Sequence, residues 1–487
     1  MRHPGRYLAA IVAAFVLISL SQATAANKHE LVILHTNDFH GHPLKFFNYP
    51  APNVGGLPAI ATLVDKVRNQ YKNVLVLDAG DLNTGRPESK FFNTAPDIIG
   101  YNYIGYDVAV LGNHEFDNPM EILEKQMRLA NFPIVSANIK TVDGRSLVKP
   151  YIIKEYSNFK VGIFGLTTRK TEIIGNPAYI KDLIFEDEVK TARKMVSVLE
   201  NKVDVIIALT HLGIWDDAGK GSRRLAAEVK GIDLIVDGHT HTNLSAPLYV
   251  NGTPIVQAWK WGLKVGKGVL SIQDGKVSGF QWEAVPINLK RRVKKADGTR
   301  SYQKIGVELP EDPFLLEILT PYADQVNALL SKVIGKTSST FFNNKVRKQE
   351  TPLGNLVADA MWWYTKTLNV DFAIQNGGGI RAALPEGNIT KKQIYEILPF
   401  DNSVIVVKLK GQQVAELFDF IATIPSGQGA FAQVSQGVRF AINYDTQTCE
   451  NILIGDEPID LNRVYTIATN SYMAAGGDGY KIFLKAI

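Results

Sequence analysis

One cysteine, Cys449, is all that the 487 residues contain. A lone thiol can neither close an internal disulfide nor complete a cysteine-based zinc or iron–sulfur site. Any metal must therefore rest on His, Asp, Glu or Asn. Long apolar runs are scarce too. The most extended, Leu8 to Ile18, falls short of the ~20 residues that cross a bilayer. Neither sign of charge dominates: 53 Lys and Arg against 48 Asp and Glu leave a formal +5, too mild to argue for nucleic acid as a partner. No internal repeat or low-complexity segment stands out. With 45% apolar and 21% charged residues, a disordered chain, a collagen-like repeat and a long coiled coil are excluded. The length exceeds one ordinary domain, so two are expected.

The opening run has a specific context. Arg2 and Arg6 precede it, and Ala23-Thr24-Ala25 follows as a small-residue cleavage signal. This pattern reads as a secretory signal peptide over 1–25, cut near Ala25. The mature chain is expected to be periplasmic or secreted, without a stable membrane anchor. A single thiol suits a bacterial periplasm better than a disulfide-braced ectoenzyme. The basic run Lys290-Arg291-Arg292-Val293-Lys294-Lys295 is expected to be a solvated hairpin rather than a polyanion site.

Five short apolar runs recur between helical stretches: Leu31–Leu34, Val74–Leu77, Val108–Leu111, Val205–Leu209 and Leu234–Val236. They read as strands buried on both faces of an α/β layered fold. Ile255–Val285 alternates and carries Gly-marked turns, which suggests antiparallel strands. Apolar residues at helical spacing from Leu315 to Leu330 predict one amphipathic helix over Asp312–Val333, with Gly335 as its stop. It would connect the first domain (26–311) to a second α/β domain (337–487), the linker running over 312–336.

Each of the five strands is followed by residues of one chemical kind. In order these are Asn37-Asp38-Phe39-His40, Gly80-Asp81, Asn113-His114-Glu115-Phe116-Asp117, His211, and His239-Thr240-His241. Carboxyl ends of strands line the ligand crevice in open α/β sheets, so five loops aim Asp, Asn and His at one place. Mixed imidazole, carboxylate and amide-oxygen donors suit borderline divalent ions. Two such ions can clamp a phosphoryl group and lower the pKa of a bound water. Asp81, with two oxygens, could bridge them. His114 is placed to meet charge on a leaving oxygen, and Asp117 could orient its imidazole.

With Gly112-Asn113-His114-Glu115 and Gly238-His239-x-His241, these motifs resemble the calcineurin-like metallophosphoesterases. Leu34-His35-Thr36-Asn37-Asp38 and Asn83-Thr84-Gly85 resemble the secreted 5'-nucleotidase/UDP-sugar hydrolase branch. The resemblance implies an N-terminal layered α/β metallophosphoesterase sandwich, a linker helix and a separate α/β C-terminal substrate-binding domain. It implies one metal on Asp38, His40, Asp81 and His241, a second on Asp81, Asn113, His211 and His239, and His114 with Asp117 as the catalytic pair. Zinc or manganese is the leading expectation for the two ions, with cobalt, nickel and magnesium as further candidates.

The second half lacks a Walker loop, because Leu330 stands where the leading Gly of a Gly335-Lys336-Thr337 ending belongs. What it has is Gln375-Asn376-Gly377-Gly378-Gly379-Ile380-Arg381 after Phe372-Ala373-Ile374. Three glycines there would let backbone amides approach an anion, with Arg381 pairing phosphate oxygens. This segment and Arg347 match the family's nucleotide-binding domain. The match implies that Arg347 and Arg381 contact phosphate, that Asn376 and Gly378 lie at the substrate, that Phe400 and Tyr472 sandwich a base, and that Asp478 binds the ribose hydroxyls. The expected activity is hydrolysis of nucleoside 5'-monophosphates, and of di- or triphosphates as an extension. Asn343 replaces an extra Arg found in some bacterial members, which weighs against long phosphate chains and UDP-sugars. The rival activities are 2',3'-cyclic phosphodiesterase with 3'-nucleotidase action, UDP-sugar hydrolysis and thiosulfohydrolase action; the non-enzyme rival is a secreted nucleotide-binding protein. The expected partner is a small-molecule nucleotide, with no nucleic acid; the sequence leaves the oligomeric state open.

Overall fold

The computed structural model describes residues 28–48, 51–295, 300–400 and 402–486. The signal-peptide reading lies outside these residues. The first half is a pair of six-stranded sheets. One comprises β1 (Lys28–Thr36), β2 (Val74–Asp78), β3 (Val108–Val110) and β4 (Ile134–Val135). The other uses β5 (Tyr151–Tyr156), β6 (Phe159–Thr167), β7 (Val205–His211), β8 (Leu234–Asp237), β9 (Leu248–Val250) and β10 (Thr253–Val256). Strands β11 (Lys264–Gln273) and β12 (Lys276–Pro286) return to the first sheet as an antiparallel pair. The orders are β12-β11-β1-β2-β3-β4 and β9-β10-β8-β7-β6-β5.

Period-two alternation explains the layering. Leu31, Ile33, Leu75, Leu77, Ile207 and Leu209 point between the sheets and form one core. Val32, Leu34 and Val76 face the other way, onto α1 (Leu57–Gln70) and α2 (Ala95–Ile104). Ile206, Ala208 and Ile235 face α3 (Glu188–Leu199) and α4 (Gly221–Glu228). The five ligand-bearing strand ends thus come from two facing sheets, β1–β3 in one and β7–β8 in the other. Parallel strands of either sheet read alike, which is why sequence alone did not separate them. The basic run forms a strand, Lys290–Lys294, paired with Arg300–Lys304, and Arg291 and Arg292 are exposed.

The connecting helix α5 spans Pro313–Leu330, shorter than expected because Val333 already begins a strand, Val333–Thr337. The Asp312 carboxylate caps it by accepting from Leu315 N at 2.8 Å. Leu315 and Leu319 join the core of the first half, whereas Leu329 is exposed. In the second half a four-stranded sheet has Phe372–Asn376 and Val464–Asn470 as its central strands. Helix α6 (Pro352–Tyr364) and helix α7 (Gly411–Ala422) pack on its opposite faces.

Crossed ion pairs join the halves. Arg86 reaches Glu396 at 2.7 Å, and Lys392 reaches Glu88 at 2.6 Å. Behind them Asp97 is wholly buried, neither of its oxygens makes a well-formed hydrogen bond, and burial pushes its carboxyl up to about 8 despite the nearby Ser89 hydroxyl. Folding therefore takes up a proton between pH 4 and 8, so this group lowers stability as pH rises across that window, by up to about 1.4 kcal/mol per unit. Asp97→Asn is expected to flatten the fall of Tm between pH 5 and 8, as thermal melts across that range would register.

Candidate metal centre and substrate cavity

Sharp turns after the strands present the ligand candidates. Asp38, His40, Asp81, His239 and His241 all adopt positive φ, between 48° and 83°. Such conformations cost of order 1–3 kcal/mol each for non-glycine residues and cluster at functional sites. Gly112 has no such freedom to spare for a side chain, since a Cβ there would stand 2.3 Å from Asp81 Oδ1. The buried Glu115 carboxylate braces the turn by accepting from the amides of Asp81, Leu82, Asn83 and Gly112 at 2.6–3.1 Å.

Three groups of donors meet around these turns: one is His40, Asp81 and His114, and the other two share no residue. Asp38, His40 and His241 form one, with His241 Nε2 3.3 Å from Asp38 Oδ1 and 3.1 Å from His40 Nε2. Asp81, His211 and His239 form the other, and His239 Nδ1 lies 2.8 Å from Asn113 Oδ1. Asp81 stands between them, its Oδ2 3.0 Å from His211 Nε2 and 3.8 Å from His40 Nε2. Although buried, His211 Nε2 makes no hydrogen bond of good geometry even to that oxygen. An orphaned imidazole nitrogen beside a carboxylate, and two ring nitrogens converging at 3.1 Å, are a donor set that fits divalent cations.

The electrostatics agree. Burial, followed by the Arg381 charge, holds the His40 imidazole well below its usual value. Burial also holds His241 well below and brings His239 down to about 3, keeping these rings neutral, as ligands must be. Burial would raise Asp81, but His211 and His114 outweigh it and leave the carboxyl well below the ordinary range. His114 differs. Its Nδ1 lies 2.6 Å from Asp117 Oδ2, and the Asp117 and Asp81 charges overcome burial to raise its pKa. Thr84 Oγ1 also donates to Asp117.

A cavity of about 420 Å³ opens from this centre towards the second half, lined by His114, Asp117, Arg347, Arg381, Phe400 and Tyr472 among others. Arg381 Nη2 comes within 3.3 Å of His40 Nε2, and its guanidinium lies 5.8 Å from the Phe400 ring, which is itself 5.9 Å from the His114 ring. At the other end Asn376 Nδ2 donates to Asp478 Oδ2 at 2.7 Å, while Tyr472 Oη shares its proton between Asp478 Oδ1 and Ile174 O. All sixteen sequence-selected residues surround this centre and cavity or touch residues that do.

One expectation needs correcting. The amides of Gly377 and Gly378 are not available to an anion, because they donate to Phe431 O and Gly429 O at 2.7 Å. Close packing explains the glycines instead: a Cβ on Gly377 would stand 2.2 Å from Val346 O. Lys170 and Trp215 also line the cavity, with the Lys170 ammonium 4.2 Å from the Trp215 ring centroid. Neither belongs to a motif, so only the folded chain reveals them.

Residues 31–243 match the calcineurin-like phosphoesterase family, and residues 333–485 match the 5'-nucleotidase C-terminal domain. The chain is 36% identical to Protein UshA of Yersinia enterocolitica, over 93% of this chain and 86% of that one. It is 34% identical to a 5'-nucleotidase of Vibrio cholerae, covering 98% and 92% respectively. A 5'-nucleotidase precursor from Thermus thermophilus superposes with a TM-score of 0.81 at 31% identity, covering 94% of this chain and 92% of that one.

Proposed function

Because the chain belongs to the calcineurin-like phosphoesterases that carry a 5'-nucleotidase C-terminal domain, we propose that it hydrolyses nucleoside 5'-monophosphates to nucleoside and phosphate. The observation that carries this reading is the single cavity wall shared by the metal-ligand cluster, His114 and the Phe400–Tyr472–Asp478 end. Asp38, His40, Asp81 and His241 would hold one divalent ion, and Asp81, Asn113, His211 and His239 a second. When bound, such ions clamp the phosphoryl group and lower the pKa of water. Zinc or manganese suits these donors best.

The protein's own groups do the rest. Arg347 and Arg381 would bind the phosphate oxygens, and Phe400 and Tyr472 would take the two faces of the base. Asp478, held by Asn376, would accept from the ribose hydroxyls, with Gly378 beside them. Asp117 keeps the His114 proton on Nδ1 and supports the imidazolium, which can then donate from Nε2 to the departing ribose oxygen. We place the domains at 26–311 and 337–487 with the linker at 312–336, and infer export with cleavage near Ala25. No helix among the described residues is long and apolar enough to cross a membrane.

Phosphate release from 5'-AMP, 3'-AMP, 2',3'-cyclic AMP and UDP-glucose tests the assignment. With added zinc or manganese, 5'-AMP is expected to be preferred by about tenfold or more in kcat/KM, the effect of leaving one buried polar group unpaired. Preference for the 3' or cyclic compound would overturn the assignment.

A further inference from the structure

The hydroxyl of Tyr472 makes contacts that a stacking ring does not need. Its oxygen accepts from Asp478 N at 2.9 Å, and its one proton faces two acceptors, Asp478 Oδ1 at 3.0 Å and Ile174 O at 2.8 Å. Asp478 belongs to the second half of the chain and Ile174 to the first, and all three residues line the cavity. Both acceptors are held from behind. Asp478 adopts a φ of 54°, costly for a residue other than glycine, and a Cβ on the preceding Gly477 would stand 2.4 Å from the Tyr472 ring, so this loop is moulded around the tyrosine. The other Asp478 oxygen accepts from Asn376 Nδ2 at 2.7 Å, and Asn376 Oδ1 accepts from Asn470 Nδ2 at 3.0 Å. On the facing side Ile174 ends one helical turn, Thr171–Ile174. Thr171 Oγ1 donates to Thr168 O at 2.7 Å, and Thr168 N donates to the carbonyl of the candidate ligand His211 at 3.0 Å. The tyrosine hydroxyl thus stands between an acid of one half and a turn anchored at the metal centre in the other.

A hydroxyl carries a single proton, so it cannot serve two acceptors fully. Burial, followed by the Asp478 charge, holds this phenol well above its usual range, so the proton stays on its oxygen. A second donor arriving at Asp478 Oδ1 would release that proton to Ile174 O. Building on the reading that Asp478 accepts from the ribose hydroxyls, we infer that the Tyr472 hydroxyl is a positioning group: it aims the Asp478 carboxylate and, once the ribose donates to that carboxylate, fastens the second half to the first through Ile174 O. The ring then serves the base, while the hydroxyl sets the ribose at a fixed distance from the metal-ligand loops.

Tyr472→Phe keeps the ring and removes only the hydroxyl. In the metal-loaded full-length protein, KM for 5'-AMP is expected to rise about tenfold, the loss of one charge-assisted contact, and KM for 2',3'-dideoxy-AMP, which has no ribose hydroxyl to offer, by less than about twofold. Hydrogen exchange gives a readout apart from turnover and needs no variant. Adenosine should slow exchange of the amides at 171–175 in the native protein by about tenfold, and 2',3'-dideoxyadenosine should leave them as they are. In Tyr472→Phe neither nucleoside should protect that turn. Equal KM changes for the two nucleotides, or equal protection by the two nucleosides, would overturn the inference. The native enzyme separates the two readings. If it does not distinguish 5'-AMP from the dideoxy compound, the ribose reading of Asp478 fails and the inference with it; if it does, and Tyr472→Phe distinguishes them equally well, only the hydroxyl is misassigned.

Discussion

Replacing His114 by alanine is expected to lower kcat by about three orders of magnitude while leaving the metal content of the protein unchanged. General acid help to a leaving group contributes typically 10²–10⁴-fold, and the geometry here favours a substantial share of it. Nδ1 is 2.6 Å from Asp117, and the Asp117 and Asp81 charges overcome burial to raise the pKa, which favours the protonated form. The competing reading is that His114 binds metal, for its imidazole does come together with His40 and Asp81. Steady-state kinetics with elemental analysis of the same sample separates the two. Loss of an ion in His114→Ala would make it a ligand, and a drop in kcat below tenfold would remove it from the chemistry.

For Asp81→Ala the expected outcome is harsher: kcat falls by about 10⁴ or more, and the protein keeps at most one ion per chain after mild dialysis. Asp81 lies near both donor groups, 3.0 Å from His211 and 3.8 Å from His40, closer to His211 than Asp38 at 4.0 Å, and its Oδ1 accepts the His114 amide at 2.8 Å. On the proposed assignment, removing it would take a ligand from each ion, and it removes the hydrogen bond that sets the start of the His114 turn. Asp81→Asn, which keeps the shape, tells a lost ligand from a collapsed loop. Retention of two ions by both variants would mean that Asp81 bridges nothing.

Much of this centre could be read from the chain because strand ends and ligands are local signals. An apolar run followed at once by Asp38-x-His40 or His239-x-His241 announces both the element and its cargo. Glu115 stood within the same motif, yet its work as an acceptor for four backbone amides depends on a turn that only the fold creates. The Arg86–Glu396 and Lys392–Glu88 pairs were illegible for a different reason. Each joins ordinary surface-type residues that lie far apart in sequence. The glycines at 377–379 show the opposite error. Their lack of a side chain was plain, but the Gly377 and Gly378 amides are spent on backbone carbonyls, and a Cβ at any of the three would crowd Val346, Gln375 or Gly429.

The candidate metal ligands sit on turns after the strands of two sheets, while the residues proposed to read the nucleoside lie on turns and a short helix beside a separate sheet beyond helix α5. Bond-breaking and discrimination can therefore diverge independently. On the proposed assignment, altering Phe400, Tyr472 or Asp478 is expected to redirect the enzyme without disturbing the strained turns of the metal centre. A lineage can thus explore new esters at little risk to its engine, and an engineer can do the same by grafting.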